Sequence, residues 1–233
     1  MNLQFACFVT GTDTEIGKTL ISSALLHLLS QSGLQTIGMK PIAAGTTEVD
    51  GVVSNDDIDA LSAASNMTIP RSLTTPFLLR APAAPHLAAA EEGVAISLSH
   101  IAACYQNLTA SAQAIVVEGV GGFCVPLTDD ADTADLAQLL NLPVIMVVGM
   151  RLGCLNHALL TAAAIRARKL KLVGWVANCI PPEMAYLEQN ILALQERLDA
   201  PWLGTVPVLT DPYAAAAAQY LTPSRIDGWP LGK

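Results

Sequence analysis

The fold is decided by the stretch from Phe5 to Thr19, which has the sequence FACFVTGTDTEIGKT. Phe5–Val9 is a short apolar run, as expected for a buried strand, and residues 17–30 carry apolar side chains at helical spacing. A glycine-rich loop between a buried strand and a helix is the setting of a phosphate-binding loop. In such a loop, backbone N–H groups and the helix N-terminus face the phosphates.

The loop itself contains the groups that this chemistry needs. Lys18 can neutralise β- and γ-phosphate charge, and the Thr19 hydroxyl can bind Mg²⁺. The spacing departs from the common pattern, because five residues separate Gly11 from Gly17 where four are usual. A turn that happens to contain Gly-Lys-Thr is the alternative interpretation, but the flanking strand and helix favour the phosphate loop.

Apolar strands and helical segments alternate along the rest of the chain. This alternation predicts an α/β protein with a doubly wound, mostly parallel sheet and helices on both faces, in one domain spanning residues 1–233. We expect further strands at 36–40, 114–117, 143–148, 172–178 and 202–206. We expect further helices at 56–65, 97–108, 133–140, 157–169 and 183–198. Residues 45–55 are predicted as a loop, and 69–85, with four prolines, as lacking regular helix.

Composition excludes several classes of function. The 233 residues are 52% hydrophobic, and the net charge of −8 disfavours a nucleic-acid binder. The longest uncharged stretch, 93–117, is interrupted by polar residues, so no membrane span and no membrane partner are predicted. The five cysteines have wide spacings and no metal pattern, which indicates free buried thiols in a reducing cytoplasm.

Acidic residues that could hold Mg²⁺ occur at two places. Glu118 follows the apolar run 114–117, at the carboxyl end of a predicted strand. Asp56, Asp57 and Asp59 begin a predicted helix, where they could also serve only as helix caps, with Asn55 or Asp56 as the cap residue. Spacing alone does not choose among these three acids.

Lys40 ends the predicted strand 36–40, just before Pro41. Its ammonium is therefore expected at the same sheet edge as Lys18, where it could hold a second anion beside the γ-phosphate. A solvated lysine at a strand end is the alternative.

These residues belong to a set of motifs that resembles the dethiobiotin synthetase family. The motifs occur in the family's order at 8–19, 38–45, 84–89, 117–122, 152–157, 174–178 and 203–207. The resemblance implies an ATP-dependent cyclo-ligase of biotin synthesis. Such an enzyme converts 7,8-diaminononanoate, CO₂ and ATP to dethiobiotin, ADP and phosphate, through a carbamate and a carbamic–phosphoric anhydride.

The resemblance also implies roles for individual residues. Thr19, Asp57 and Glu118 resemble the metal-site residues, so Asp57 is preferred over its neighbours, and Lys40 and Lys18 resemble the catalytic lysines. The segments that match the family's ATP-binding residues are Thr14, Glu15, Ile16, Gly17, Lys18, Thr19, Leu20, Asp57, Glu118, Gly119, Val120, Gly121, Asn178, Cys179, Pro207, Val208 and Leu209. The positions that match its substrate-binding residues are Thr14, Ala44, Gly153 and Asn156. The family is homodimeric, with substrate near the interface, so a homodimer is expected by resemblance.

Two positions depart from the family pattern. Ala44 stands where the family often has a hydroxyl residue close to the substrate, and residues 210–213 lack a glutamate associated with ribose contact. Both departures concern ligand contacts and leave the reaction class unchanged.

Two other functions share the predicted fold. Another P-loop synthetase of cofactor synthesis would use the same sheet and loop, although 233 residues leave no room for a glutaminase domain. A partition-type ATPase switch would carry an extra lysine early in its phosphate loop. The matching position here is Asp13, and an acid there argues against the switch.

Overall fold

A parallel sheet of six strands forms the centre of the molecule in the computed structural model, which describes residues 2–49 and 51–230. Its strands are β1 (Phe5–Gly11), β2 (Thr36–Met39), β7 (Ala114–Gly122), β8 (Val144–Met150), β9 (Leu172–Cys179) and β10 (Trp202–Val206). Their order across the sheet is β10-β9-β8-β1-β7-β2, so β1 is central. Ligands of such sheets bind beyond the carboxyl ends of the strands, where the chain changes its direction of travel across the sheet.

Shorter strands form two small sheets beside the main one. The parallel pair is β3 (Ile42–Ala44) with β6 (Phe77–Leu79), and the antiparallel pair is β4 (Thr47–Val49) with β5 (Val52–Ser54). The helices are α1 (Lys18–Gln31), α2 (Asp56–Ala64), α3 (Arg71–Thr74), α4 (Pro85–Glu92), α5 (Leu98–Ser111), α6 (Thr133–Leu140), α7 (Cys154–Ala167), α8 (Leu187–Arg197) and α9 (Ala214–Ala218), with a 3₁₀ turn at Pro223–Arg225.

Alternate residues of the central strand face two separate apolar cores. Cys7 and Val9 pack into the core beneath α1 and α9, whereas Phe8 packs into the core beneath α5, α6 and α7. Because successive side chains of a strand point to opposite faces, a continuous apolar run is what a sheet covered on both sides requires. The doubly wound α/β fold predicted from the sequence is confirmed.

Two side chains and the carbonyl of the last residue of α3 cover the outer edge of β2. The Thr36 and Gly38 amides donate to Asn66 Oδ1 at 2.8 Å and to Ser65 Oγ at 2.9 Å. The Lys40 amide donates to the Thr74 carbonyl at 2.9 Å. These bonds satisfy an edge that would otherwise present free donors, and they hold Lys40 at the end of β2.

Some sequence predictions differ from the structure. The segment 45–55, predicted as a loop, contains the β4–β5 hairpin, and the segment 69–85 contains the one-turn helix α3. Helix α7 begins at Cys154, three residues before the predicted start.

The cysteines match their prediction only in part. All five are free, and Cys7, Cys104 and Cys154 are buried, but Cys124 is exposed and Cys179 is half-buried. The prediction of uniformly buried thiols is therefore wrong at these two positions. None of the helices within 2–49 and 51–230 has the length and apolar character needed to cross a bilayer.

Candidate active site

The loop from Gly11 to Gly17 connects β1 to α1 and lies at the carboxyl edge of the sheet. Gly17 caps α1 with φ of +84°, a conformation that favours glycine, and a Cβ there would overlap the side-chain amide of Asn178. Lys18 is buried and its Nζ donates to the Asp13 carbonyl at 2.9 Å. The loop thus wraps around the Lys18 side chain, which is the predicted phosphate-binding group.

The environment of Lys18 lowers its pKa to about 8. Burial is the main cause, because it disfavours the charged ammonium, and the nearby charge of Lys40 adds to the effect. The carboxylates of Glu118 and Asp57 oppose this shift without cancelling it.

A cluster of four side chains lies beside the phosphate loop. Lys40 Nζ is 2.7 Å from Glu118 Oε1, 2.8 Å from Asp57 Oδ2 and 3.2 Å from the Gly119 carbonyl. The Thr19 hydroxyl lies 2.6 Å from Asp57 Oδ1 and 2.8 Å from Glu118 Oε1. Strand pairing explains the meeting, since Met39 is opposite Val117 and so brings Lys40 beside Glu118.

Burial and pairing act in opposite directions on the pKa values of this cluster. Burial alone would lower the pKa of Lys40, but the charges of Glu118 and Asp57 outweigh it, and the pKa is raised. Burial would raise the pKa of Asp57, but the charge and hydrogen bond of Lys40 outweigh it, and the pKa is lowered. Both groups are therefore held in their charged forms.

The cluster also has the ligand chemistry that Mg²⁺ prefers. Thr19, Asp57 and Glu118 present a hydroxyl and two carboxylates, and Glu118 Oε2 is buried with no hydrogen-bond partner. Nowhere in the described part of the chain do three His, Cys, Asp or Glu side chains form a metal-binding group. Mg²⁺ does not need such a group, because it commonly takes one or two carboxylates together with substrate phosphates. The residues present fit this ion.

A cavity of about 820 Å³ opens beside the cluster. The predicted site residues in its wall are Thr14, Glu15, Ile16, Gly17, Lys18, Thr19, Lys40, Ala44, Asp57, Val120 and Gly121. Leu20 instead lines a neighbouring groove between α1 and α2. Glu118 and Gly119 belong to β7 and do not line the cavity. The sequence predicted that Glu118 follows its strand, whereas in the structure it lies within the strand.

Asn178 lies in β9 on the other side of the phosphate loop. Its Nδ2 donates to the Ile16 carbonyl at 2.8 Å, whereas its Oδ1 is buried without a partner. Val206 pairs with Asn178, so the segment Pro207–Leu209 begins next to it, and Cys179 follows it directly. These residues form a group that does not line the main cavity.

The predicted substrate residues after β8 also lie apart from the cavity wall. Gly153 caps α7 with φ of +96°, and Asn156 is in the first turn of that helix, just before the predicted helix 157–169. Arg151, between β8 and this cap, forms an ion pair with Asp13 of the phosphate loop. The sequence reasoning missed this ion pair because nothing in the local pattern links residues 138 positions apart.

Asn55 is a second residue whose contacts the sequence reasoning missed. It was predicted only as a possible helix cap, and it does cap α2, but its amide also contacts the strand end at Ala44 and Gly45. A capping motif in the sequence carries no signal for that second contact.

Fold and site together define a P-loop nucleotide-binding protein. A family model described as an AAA domain matches residues 6–215. A dethiobiotin synthetase of Janthinobacterium sp. (strain Marseille), described as ATP-dependent, is 58% identical to this chain over 99% of both chains. The chain belongs to the dethiobiotin synthetase family.

Solved structures with low sequence identity share the fold. The signal recognition particle receptor FtsY of Elizabethkingia anophelis, in complex with GDP, aligns with a TM-score of 0.58 at 12% identity, over 97% of this chain and 63% of its own. MinD in the Aquifex aeolicus MinC:MinD cell division complex aligns with a TM-score of 0.56 at 12% identity, over 91% of this chain and 92% of that one. At such identities the likeness concerns the fold alone.

Proposed function

We propose that this protein is an ATP-dependent cyclo-ligase that forms dethiobiotin from 7,8-diaminononanoate and CO₂, releasing ADP and phosphate. One observation carries the proposal: Lys40, Asp57, Glu118 and Thr19 form a bonded cluster between a phosphate loop and a cavity of about 820 Å³. The cavity has room for a small substrate next to the γ-phosphate.

The chemistry requires two anions to come together. One substrate amine takes up CO₂ as a carbamate, and a carbamate oxygen attacks the γ-phosphorus, so that the bond to ADP breaks. The second amine then attacks the carbamate carbon, closes the ring and releases phosphate. Carbamate and phosphate repel each other, and this repulsion is strong where water is excluded.

Lys18 and Lys40 supply the opposing charge. Lys18 is placed to bind the β- and γ-phosphates, and Lys40, whose pKa is raised, remains a cation that can face the transferred phosphoryl group and the carbamate. When bound, Mg²⁺ would add charge neutralisation at the phosphate oxygens, and Thr19, Asp57 and Glu118 would hold it.

Asn178 and the Pro207–Leu209 segment are proposed to bind the base. Asn178 donates one N–H of its side-chain amide to the Ile16 carbonyl, and its buried Oδ1 has no partner, so this acceptor is proposed to meet the base. An acceptor in this place favours adenine, which offers an amino group.

Ala44, Gly153 and Asn156 are proposed to bind the diamine. Thr14 and Thr47 line the same cavity as Ala44 and provide hydroxyls near it. Gly153 and Asn156 do not line this cavity in one chain, which supports the proposal that a second copy brings them to the substrate in a homodimer. We assign the protein to the cytoplasm, where ATP and the diamine are available.

The proposed function is tested by mixing the protein with 7,8-diaminononanoate, bicarbonate and MgATP and measuring products by mass spectrometry. Dethiobiotin and ADP in equal amounts are expected, and ¹³C-bicarbonate should add one mass unit to the product. ATP loss without dethiobiotin would favour another P-loop synthetase. ATP loss that requires none of the other substrates would favour the ATPase switch.

A further inference from the structure

Asn55 is a buried polar residue between two parts of the proposed site. It belongs neither to the phosphate loop nor to the four-residue cluster of Thr19, Lys40, Asp57 and Glu118. The residue is 8% exposed and belongs to the wall of the main cavity. Burying an amide is costly unless its donor and its acceptor both form hydrogen bonds. The partners of Asn55 therefore indicate which segments its side chain holds in place.

The acceptor of this amide fixes the start of α2. Asn55 Oδ1 accepts from the Ile58 amide at 3.2 Å, and the Asn55 carbonyl accepts from the Asp59 amide at 3.0 Å. Asp57 lies within the turn that these two bonds close, and its carboxylate reaches Lys40 and Thr19. The cap therefore fixes the position of the Asp57 carboxylate, the exposed member of the four-residue cluster.

The donor of the same amide fixes the strand end that faces the cavity. Asn55 Nδ2 donates to the Gly45 carbonyl at 2.6 Å and lies 3.4 Å from the Ala44 carbonyl. From its other side, the Gly45 amide donates to the Leu79 carbonyl at 3.1 Å. Ala44 and Gly45 are thus held between β6 and the start of α2.

The chain between these two contacts is the β4–β5 hairpin. Thr47 pairs with Ser54 at its base, where their hydroxyls are 2.8 Å apart, and Asn55 follows directly. The bond from Asn55 to Gly45 adds one more link at the base of the hairpin, so the segments that enter and leave it are tied together at the cavity wall.

We propose that Asn55 is a positioning residue that holds the Ala44–Gly45 substrate wall at a fixed distance from the Asp57 metal ligand. The amide nitrogen of Asn55 makes one contact and the amide oxygen makes the other. A substitution that removes only the nitrogen should therefore disturb the substrate wall, and one that removes both atoms should also disturb Asp57. The inference rests on the proposed function, because it assigns the diamine to this wall.

Two substitutions separate the two contacts. Asn55→Ser keeps a good helix cap but lacks an amide donor that reaches Gly45, whereas Asn55→Ala lacks both groups. We expect Asn55→Ser to raise the KM for the diamine roughly tenfold or more and to leave the KM for ATP within about twofold, since small misplacements of a reacting group are expensive. We expect Asn55→Ala to raise, in addition, the Mg²⁺ concentration needed for half-maximal ADP binding in calorimetry.

Asn66 provides the matched control. It also uses both ends of its amide, accepting from the Thr36 amide at 2.8 Å and donating to the Leu34 carbonyl at 2.7 Å, but it lies beyond the other end of α2. Asn66→Ser should lower the thermal midpoint without changing either KM.

Hydrogen exchange adds a readout that is independent of turnover. Exchange at the Gly45 and Thr46 amides should be faster in Asn55→Ser than in the wild type and unchanged in Asn66→Ser. If both Asn55 variants lower only the thermal midpoint, and leave both KM values and this exchange unchanged, the inference is wrong. A wild-type protein that forms no dethiobiotin would overturn the proposed function instead, and ADP binding and hydrogen exchange would still test the placement of the two segments.

Discussion

Individual residues of the site act through opposing effects of burial and charge. Lys18 and Lys40 are both buried lysines at one sheet edge, yet the pKa of Lys18 is lowered to about 8 and that of Lys40 is raised. The difference arises because Lys40 contacts two carboxylates directly, whereas the bond that Lys18 Nζ forms within residues 2–49 and 51–230 is to a backbone carbonyl. Lys18, which forms no ion pair with residues 2–49 or 51–230, is the lysine that we propose to bind phosphate.

The lowered pKa of Lys18 predicts that ATP binding is linked to proton uptake. Phosphate favours the ammonium, so above pH 8 the free protein must gain most of one proton at Lys18 when ATP binds, and affinity falls as pH rises further. Calorimetry at pH 8.5 in two buffers of different ionisation enthalpy measures this uptake. Lys18→Arg, whose guanidinium stays charged, should lose it. The same buffer dependence in both proteins would refute the prediction.

Removing the Lys40 ammonium should affect both stability and chemistry. Lys40→Met leaves the buried Glu118 carboxylate without its cation, which should cost about 3–5 kcal/mol of the free energy of unfolding in the absence of ligands. It should also slow phosphoryl transfer by roughly 10²-fold or more while weakening ATP binding far less.

Urea unfolding and single-turnover kinetics measure the two effects of Lys40→Met. Adding Glu118→Gln should recover part of the stability, because the uncompensated charge is then gone. Lys171→Met, at a lysine 69% exposed, is the control and should change stability by less than about 0.5 kcal/mol. If only ATP affinity changed in Lys40→Met, the role at the carbamate would be wrong.

Asn178 should discriminate between purine bases by a single atom. Its free Oδ1 can accept from the amino group of adenine but would face the carbonyl oxygen of hypoxanthine, so ITP should bind about tenfold or more weakly than ATP. Competition binding with both nucleotides measures the ratio. Asn178→Ala should abolish the preference, and equal affinities in the wild type would argue against this contact.

At the level of elements, the sequence predicted what burial determines and missed what long-range contacts determine. The six strands of the main sheet and α1 were located from the sequence because their apolar runs and periodicity are strong, although β7 extends beyond the predicted 114–117. The β4–β5 hairpin was missed because three-residue strands carry little periodicity, although Asp50-Gly51 is a common hairpin turn and Gly51 has φ of +76°. Glu118 was placed after its strand because the apolar run stops at Val117, whereas pairing with β1 continues.

In the candidate site, too, some residues could be predicted from local sequence and others depended on long-range contacts. Lys18 and Thr19 could be predicted from the loop alone, but the choice of Asp57 depended on the family resemblance. In the structure Asp57 is the helix acid that reaches Lys40, which spacing could not show. The second contact of Asn55 depends on where Gly45 lies in space, and no local pattern contains that information.

An ion-pair network of three residues links the start of α6 to the end of α7. Asp132 and Asp135 form a capping box at the start of α6, and both pair with Arg168 at the end of α7. Arg168→Gln should lower the free energy of unfolding by about 1 kcal/mol near neutral pH.

The pH dependence of that loss follows from Asp135. The hydrogen bond from the Asp132 amide, and then Arg168, lower the pKa of Asp135 below 3.8, so the stabilisation is present above pH 3.8 and is lost as pH falls through the lowered value. Urea unfolding at several pH values measures it. Arg166→Gln is the control, because Arg166 is exposed and forms no ion pair with residues 2–49 or 51–230. An equal loss in both variants would show that the network does not stabilise the contact.

At the level of the whole molecule, the acidic surface and the anion-binding site are compatible because the site is local. The net charge of −8 describes the whole chain, whereas the sheet edge brings the phosphate loop together with two buried lysines. Two of the acids that make the chain negative, Asp57 and Glu118, lie within that site. Family membership and this arrangement together support one route in which CO₂ is activated by phosphoryl transfer.

The route is tested most directly by following the oxygen atoms of CO₂ into phosphate. If a carbamate oxygen attacks the γ-phosphorus, and ring closure then breaks the bond between that oxygen and carbon, each phosphate released must keep one oxygen from CO₂. With ¹⁸O-labelled CO₂, mixed rapidly with the protein, 7,8-diaminononanoate and MgATP, we predict dethiobiotin together with phosphate that carries one ¹⁸O. Dethiobiotin accompanied by unlabelled phosphate, under conditions where the remaining CO₂ has kept its label, would contradict the account.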